Sequence, residues 1–221
     1  MLATGRTSAT MKFQTGLTSP TLKIRDQAGT GRANLIIGSN AATTVYASVQ
    51  GGSSSPSGVL DLTGGTVDFL LNDLVLGLAQ TADIGNGVGY GLGTMTFNSG
   101  TIDATNVVLG RIMDISSTSA TSNTAGTNAT ATHATLNMQG GTLLAGTIVI
   151  AENQDSSANN TSTSGTYTRN PNSKGVFNLS GGAATVTGDV VLGTHTSATP
   201  AQAMRTRLSI SPAGPSPWEA I

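Results

Sequence analysis

The chain has 221 residues, which suits one or two compact domains or a single repeat array. Only 10% of residues are charged and 4% aromatic, against about 25% charged in an ordinary globular domain, so the surface is not built from ions. The formal charge of -1 leaves no basic surface for a run of phosphates or an anionic membrane, and the absence of Cys excludes disulfides, thiolate metal sites and thiol redox chemistry.

The chain contains 35 Thr, 23 Ser and 29 Gly, so about two residues in five are small and either hydroxylated or lacking a side chain. That composition fits thin strands and many turns. There is no run of 18 apolar residues, and Met1 to Gly16 carries Arg6 and Lys12 with no apolar stretch of the signal-peptide kind. An export signal is expected to lie outside this sequence.

Taken in chain order, Thr10-Met11-Lys12-Phe13-Gln14-Thr15-Gly16 and Thr21-Leu22-Lys23-Ile24 both read as an opening strand, and the register of this first copy stays open between them. Leu35-Ile36-Ile37-Gly38 is the first of five similar marks, followed by Leu74-Val75-Leu76-Gly77, Val107-Val108-Leu109-Gly110, Ile148-Val149-Ile150-Ala151 and Val190-Val191-Leu192-Gly193. Ahead of the last four stand Val59-Leu60-Asp61-Leu62-Thr63-Gly64-Gly65, Thr94-Met95-Thr96-Phe97-Asn98-Ser99-Gly100, Thr135-Leu136-Asn137-Met138-Gln139-Gly140-Gly141 and Val176-Phe177-Asn178-Leu179-Ser180-Gly181-Gly182. The closing marks are separated by 39, 33, 41 and 42 residues, while the piece between paired marks hardly varies. Length variation is therefore expected in the spacers 39 to 57, 78 to 91, 111 to 133, 152 to 174 and 194 to 206.

Alternation within each opening mark sets Leu60 and Leu62, Met95 and Phe97, Leu136 and Met138, or Phe177 and Leu179 on one face of a half-buried strand. A second short strand follows the glycine turn and a third ends at the closing mark. One copy cannot bury its apolar face, but stacked copies can. The expected fold is all-β, a parallel β-helix of about five rungs with variable loops on one edge. Its expected core is Leu60, Leu62, Val67, Phe69, Val75, Met95, Phe97, Ile102, Val108, Leu136, Met138, Leu143, Val149, Phe177, Leu179, Val186 and Val191. Asn34, Asp73, Asn106, Thr147 and Asp189 precede the closing Gly or Ala by four residues and should form a column of turn residues. Arg207-Leu208-Ser209-Ile210-Ser211 reads as another opening strand, followed by Pro212, Pro215 and Pro217, which cannot continue a ladder. The organisation is thus 1-19 as a partial rung, 20-210 as β-helix repeats and 211-221 as a Pro-rich irregular tail.

The Leu-x-Leu-x-Gly-Gly-Thr and Val-Leu-Gly marks, with Ser, Thr, Asn and Ala-rich spacers, resemble the β-strand repeats of bacterial autotransporter passengers and related large secreted surface proteins. The resemblance covers about residues 20 to 210. It implies a β-helix segment at the cell surface or outside the cell, flanked by further repeats of a longer parent chain, with no membrane insertion of this segment.

Little chemistry stands out. Asp68 and Asp103 each stand three residues after a turn Gly, and in stacked rungs they would lie about 5 Å apart, near enough for a cation or an acid and nucleophile pair; solvated surface Asp residues are the plainer reading. Arg111 and Glu152 align as a surface ion pair. His133 and His195 lack any ligand spacing, and the Gly85 to Gly91 stretch lacks the Lys and helix of a phosphate loop. No metal, cofactor or catalytic group is expected. All three Tyr residues, Tyr46, Tyr90 and Tyr167, fall in the spacers, where flat rings with a hydroxyl suit a sugar ring or a partner surface. The expectation is a non-enzymatic structural or adhesive segment that contacts glycan or extracellular matrix through its loop edge. The alternatives are a β-helix polysaccharide lyase or hydrolase and an ice- or mineral-binding solenoid.

Overall fold

The computed structural model describes residues 1–4, 7–40, 57–80, 90–113, 131–154, 172–195 and 207–210. Regular structure in them is entirely β: β1 (Leu2–Thr4), β2 (Ala9–Lys12), β3 (Thr21–Ile24), β4 (Ala33–Asn40), β5 (Ser57–Leu62), β6 (Thr66–Gln80), β7 (Tyr90–Phe97), β8 (Gly100–Met113), β9 (Ala131–Asn153), β10 (Asn172–Val186), β11 (Val190–His195) and β12 (Arg207–Ile210). They form one 12-stranded sheet in which every pairing is parallel. The sheet curls into a nearly closed, solenoid-like shape compatible with a β-helix.

Three stacks of paired strands make up this sheet. The first runs β2, β5, β7 and the starts of β9 and β10, then β12. The second runs β3 and the front parts of β6 and β8, then the middle of β9 and the end of β10. The third runs β1, β4, the back parts of β6, β8 and β9, then β11. Both candidates for the opening strand are therefore strands, one in the first stack and one in the second. Residues 9–12 and 21–24 belong to the same sheet, on either side of the boundary expected at residue 19.

Alternation decides which way the first two stacks face. Leu60, Met95 and Leu136 pair in one column and Leu62, Phe97 and Met138 in another, all 2% exposed or less, while Asp61, Thr96 and Asn137 pair on the opposite face. Val67, Phe69, Ile102 and Leu143 complete the expected inner face of the second stack. Each such side chain contributes about 1.5–3 kcal/mol by leaving water. Phe177 is also buried, and Leu179 and Val186 are half-buried against the same core.

The third stack departs from the expected core. Its inward side chains are Leu74, Leu76, Val107, Leu109, Ile148 and Ile150. Val75 and Val108 are buried on the opposite face, in a separate cluster with Leu78, Ile36 and Val149, and Val191 is only partly covered. Both faces of this stack are apolar, so the marks present no polar contrast from which a strand's phase can be read.

Each closing mark ends in a left-handed corner. The corner residues Ala3, Gly38, Gly77, Gly110, Ala151 and Gly193, each flanked by paired residues, have φ of 58°, 71°, 67°, 79°, 63° and 71°. Glycine is the residue that takes this conformation without strain. The backbone of the first stack passes close behind: a Cβ at Gly93 would lie 2.4 Å from the Ile37 carbonyl oxygen and 2.5 Å from the Gly77 nitrogen. That approach nearly closes the sheet. The strand does not stop at the corner, so the spacers are shorter than expected: ladder pairing continues through Asn40, Gln80, Met113 and Asn153 and resumes by Ser57, Tyr90, Ala131 and Asn172.

Candidate functional site

The corner brings the exits and entries of the spacers to one edge. Asn40 pairs with Ala79, Gln80 with Met113, and Asn153 with both Ile112 and His195, so the exits keep to one place in the third stack within a residue. The entries keep to the start of the first stack, where Tyr90, Ala131 and Asn172 pair in a column. Exits and entries adjoin: a Cβ at Gly91 would lie 2.4 Å from the Leu78 carbonyl oxygen. Buried hydroxyls pin this seam, with Ser173 Oγ donating to the Gly110 carbonyl at 2.7 Å and lying 3.0 Å from Thr132 Oγ1. Of the three Tyr residues, Tyr90 opens β7 with its backbone paired to Ala131, and Tyr46 and Tyr167 lie outside the described residues.

Asp68 and Asp103 do not share a column. Asp68 pairs with Lys23 and Thr101, and Asp103 with Leu70 and Leu144. The turn between Leu62 and Phe69 spans two residues more than the one between Phe97 and Ile102, which are paired columns, so counting from the turn Gly misplaces Asp68 by two. Each carboxylate has a guanidinium of its own. Arg25 donates to the Asp68 carboxylate and, at 2.8 Å, to its backbone carbonyl, with the Lys23 ammonium 3.6 Å away. Arg32 donates to Asp103 Oδ1 at 2.9 Å and to the Leu71 carbonyl at 2.8 Å. The loop between these arginines is tied by Asp26 Oδ1, which accepts from the backbone of Thr30 at 3.1 Å and Gly31 at 2.8 Å. The Arg25 hydrogen bond holds the Asp68 carboxyl below the usual carboxylate value against the opposing desolvation, with the Arg25 and Lys23 charges adding to the lowering. This arrangement neutralises two carboxylates; it does not hold them for a shared cation or proton.

Arg111 and Glu152 do pair across adjacent strands, with Nε donating to Oε2 at 2.5 Å and Gln154 Nε2 donating to the other carboxylate oxygen at 2.7 Å. His133 stands beside Lys174 in the first stack, and partial desolvation followed by the Lys174 charge lowers its pKa. Of His195 only the backbone is described. The turn-residue column is present: Asn106 Nδ2 donates to Asp73 Oδ1 at 2.9 Å, and Thr147 Oγ1 donates to Asn106 Oδ1 at 3.0 Å. A second amide column runs along the outer first stack, Asn178 donating to Asn137 at 2.8 Å and Asn137 to Thr96 at 3.2 Å. Among the described residues no three His, Asp or Glu side chains gather as a metal site would require.

Sequence reasoning missed Arg25 and Arg32, whose partners lie 43 and 71 residues away. It also missed the Thr132 and Ser173 seam. Thr132 and Ser173 occupy the same paired position in successive copies, which was the available signal. Comparison with known proteins adds nothing to this geometry: no family model, no curated protein and no solved structure matches the chain.

Proposed function

We propose that the chain is a five-rung segment of parallel β-helix that serves as a non-enzymatic stalk or adhesive element of a secreted bacterial surface protein. The observation that carries this reading is the common edge. Successive spacers leave and re-enter at paired positions, so their anchor points lie one strand spacing apart, about 4.8 Å, along a single side. Loops held in register on a rigid scaffold are suited to contact. Weak glycan or matrix contacts repeated along that edge, and along further repeats of a longer parent, gain avidity without any one being strong. The separate neutralisation of Asp68 and Asp103 favours this reading over a polysaccharide lyase or hydrolase, which needs convergent, unpaired acid and base groups.

The test compares the chain with a variant whose residues 41–56, 81–89, 114–130 and 155–171 are replaced by Gly/Ser segments of equal length, together with a Tyr46, Tyr90 and Tyr167 triple Ala variant. Glycan-array and cell-surface binding should be weak but measurable for the chain and lost on spacer replacement, with an unchanged far-ultraviolet spectrum. Equal binding by the replaced variant refutes the loop-edge reading. Polysaccharide turnover abolished by Asp68→Asn with Asp103→Asn overturns the non-enzymatic one.

A further inference from the structure

Charge is scarce on this surface, and most of its cations are already spent. Among the described residues Lys23, Arg25, Arg32 and Arg111 each meet a carboxylate, and Lys12 stands beside Asp61 in the ladder. Lys174 is different. It lies directly opposite His133 on the outer face of the first stack, both side chains are exposed, and neither meets a carboxylate among the described residues. When His133 is protonated the two groups repel across one strand spacing, about 4.8 Å, and an anion placed between them turns that repulsion into attraction.

The surroundings narrow the class of anion. Both residues lie two positions inside the spacer entries at Ala131 and Asn172, at the foot of the loop edge. Beyond them on β7, β9 and β10 the same face carries two uncharged rows, Thr94, Thr135 and Val176, then Thr96, Asn137 and Asn178. The hydrogen bonds from Asn178 to Asn137 and from Asn137 to Thr96 use one of the two Nδ2 hydrogens of each amide. They fix the amide planes and leave the second hydrogen of each for a ligand. From His133 to Asn137 the face runs about 13 Å, at about 3.3 Å per residue. One positive point at the head of a flat field of hydroxyl, amide and methyl groups fits a carboxylate carried on a ring of hydroxyls. An acidic peptide presents charge at every step and would meet Asp61, which pairs with Thr96 at the far corner of the field.

We propose that the foot of the loop edge binds a uronate-bearing glycan, its carboxylate between His133 and Lys174 and its neutral hydroxyls over Thr135, Asn137 and Asn178. This rests on the adhesive reading and names the ligand class for it. Few charged groups face the His133 ring: β10 supplies Lys174, β7 supplies the uncharged Leu92, the corner behind at Gly77 supplies none, and Arg111 and Glu152 across the seam are bound to each other. Partial desolvation and Lys174 keep the ring neutral at neutral pH. A bound carboxylate favours the protonated ring, and by reciprocity affinity rises as pH falls below 6.5.

The test titrates the full chain with trigalacturonate and with its fully methyl-esterified form, which keeps the hydroxyls and removes the charge, by nuclear magnetic resonance at pH 5.5 and 7.5. The acid form should bind weakly but measurably, about threefold tighter at pH 5.5, and should raise the pKa of the His133 ring, which His133→Gln distinguishes from His195. His133→Gln should abolish the pH difference. Lys174→Gln should weaken binding of the acid form about fivefold, and Lys174→Glu should bind the ester at least as well as the acid. Far-ultraviolet spectra establish that these exposed substitutions leave the fold intact. No binding of the acid form, equal binding of the ester or of polyglutamate, or a pH difference that survives His133→Gln would each overturn the proposal. Neutral-glycan binding that is lost on spacer replacement but indifferent to His133 and Lys174 would sink the uronate site and leave the loop-edge reading standing.

Discussion

Replacing Gly38 by Ala tests the left-handed corner against a built-in control, Gly16→Ala. Both residues have positive φ, 71° and 91°. Placing Ala in this region costs about 1–2 kcal/mol of backbone strain, of which a stiffer unfolded chain returns about 0.4–1 kcal/mol. At Gly16 nothing lies within 4 Å of the added methyl, so the loss stops near 1 kcal/mol. At Gly38 the methyl would sit 1.7 Å from the Leu92 carbonyl oxygen and 2.3 Å from its carbon. The first stack must then retreat by more than about 1 Å, which adds about 1–3 kcal/mol of overpacking. The expected difference between the variants is that last contribution, about 1–3 kcal/mol, which at a urea slope near 2 kcal/mol/M separates their midpoints by about 0.5–1.5 M. Urea unfolding followed by circular dichroism, with slopes checked for equality because repeat arrays can lose cooperativity, measures it. Coincident midpoints would refute the close approach of the two stacks.

Other substitutions test the core and the charges. Phe97→Ala, at a fully enclosed side chain, should cost about 3–5 kcal/mol, whereas Leu192→Ala at the half-exposed edge should cost less than about 1 kcal/mol; similar thermal shifts would contradict the assignment of inside and edge. Because the Arg25 hydrogen bond holds the folded Asp68 carboxyl below the ordinary carboxylate value, its contribution is present above that ordinary value and lost as pH falls through the folded one. The melting-temperature gap between the chain and Asp68→Asn should therefore close in acid, and a gap independent of pH would contradict the Arg25 contact. His133 is lowered from 6.5, so its neutral form favours the folded state, and stability should begin to fall as pH drops below 6.5. Proton-detected titration of the ring should shift upward in Lys174→Gln; an unchanged midpoint would remove Lys174 as a cause.

Where apolar and polar residues alternate, the fold could be read without coordinates. Leu60-Asp61-Leu62 and Leu136-Asn137-Met138 state their own inside and outside, and pairing between copies follows their spacing. Leu74-Val75-Leu76 carries no such contrast, and the outward placement of Val75 emerges only from the stacked whole. Gly77 looks like a terminator because glycine often ends a strand, but here it turns a strand that goes on to Gln80. Asp68 and Asp103 show a related difficulty: a turn two residues longer leaves the alternation intact and shifts the columns. Their arginine partners belong to a loop with no repeat counterpart, so nothing in the periodicity pointed to them.

The constancy of the columns also makes length a digital property of this chain. Ala131 and Asn172 pair directly across 41 residues, so excising residues 131–171 would join Thr130 to Asn172 and bring Leu136 out and Phe177 in at the same inner position against Met95. The shortened molecule would lose one strand spacing, about 4.8 Å, and keep a filled interior. Duplication of the same segment would add one. A protein organised in this way can act as a ruler whose reading changes in whole increments, by recombination between similar stretches, without a new core at each step.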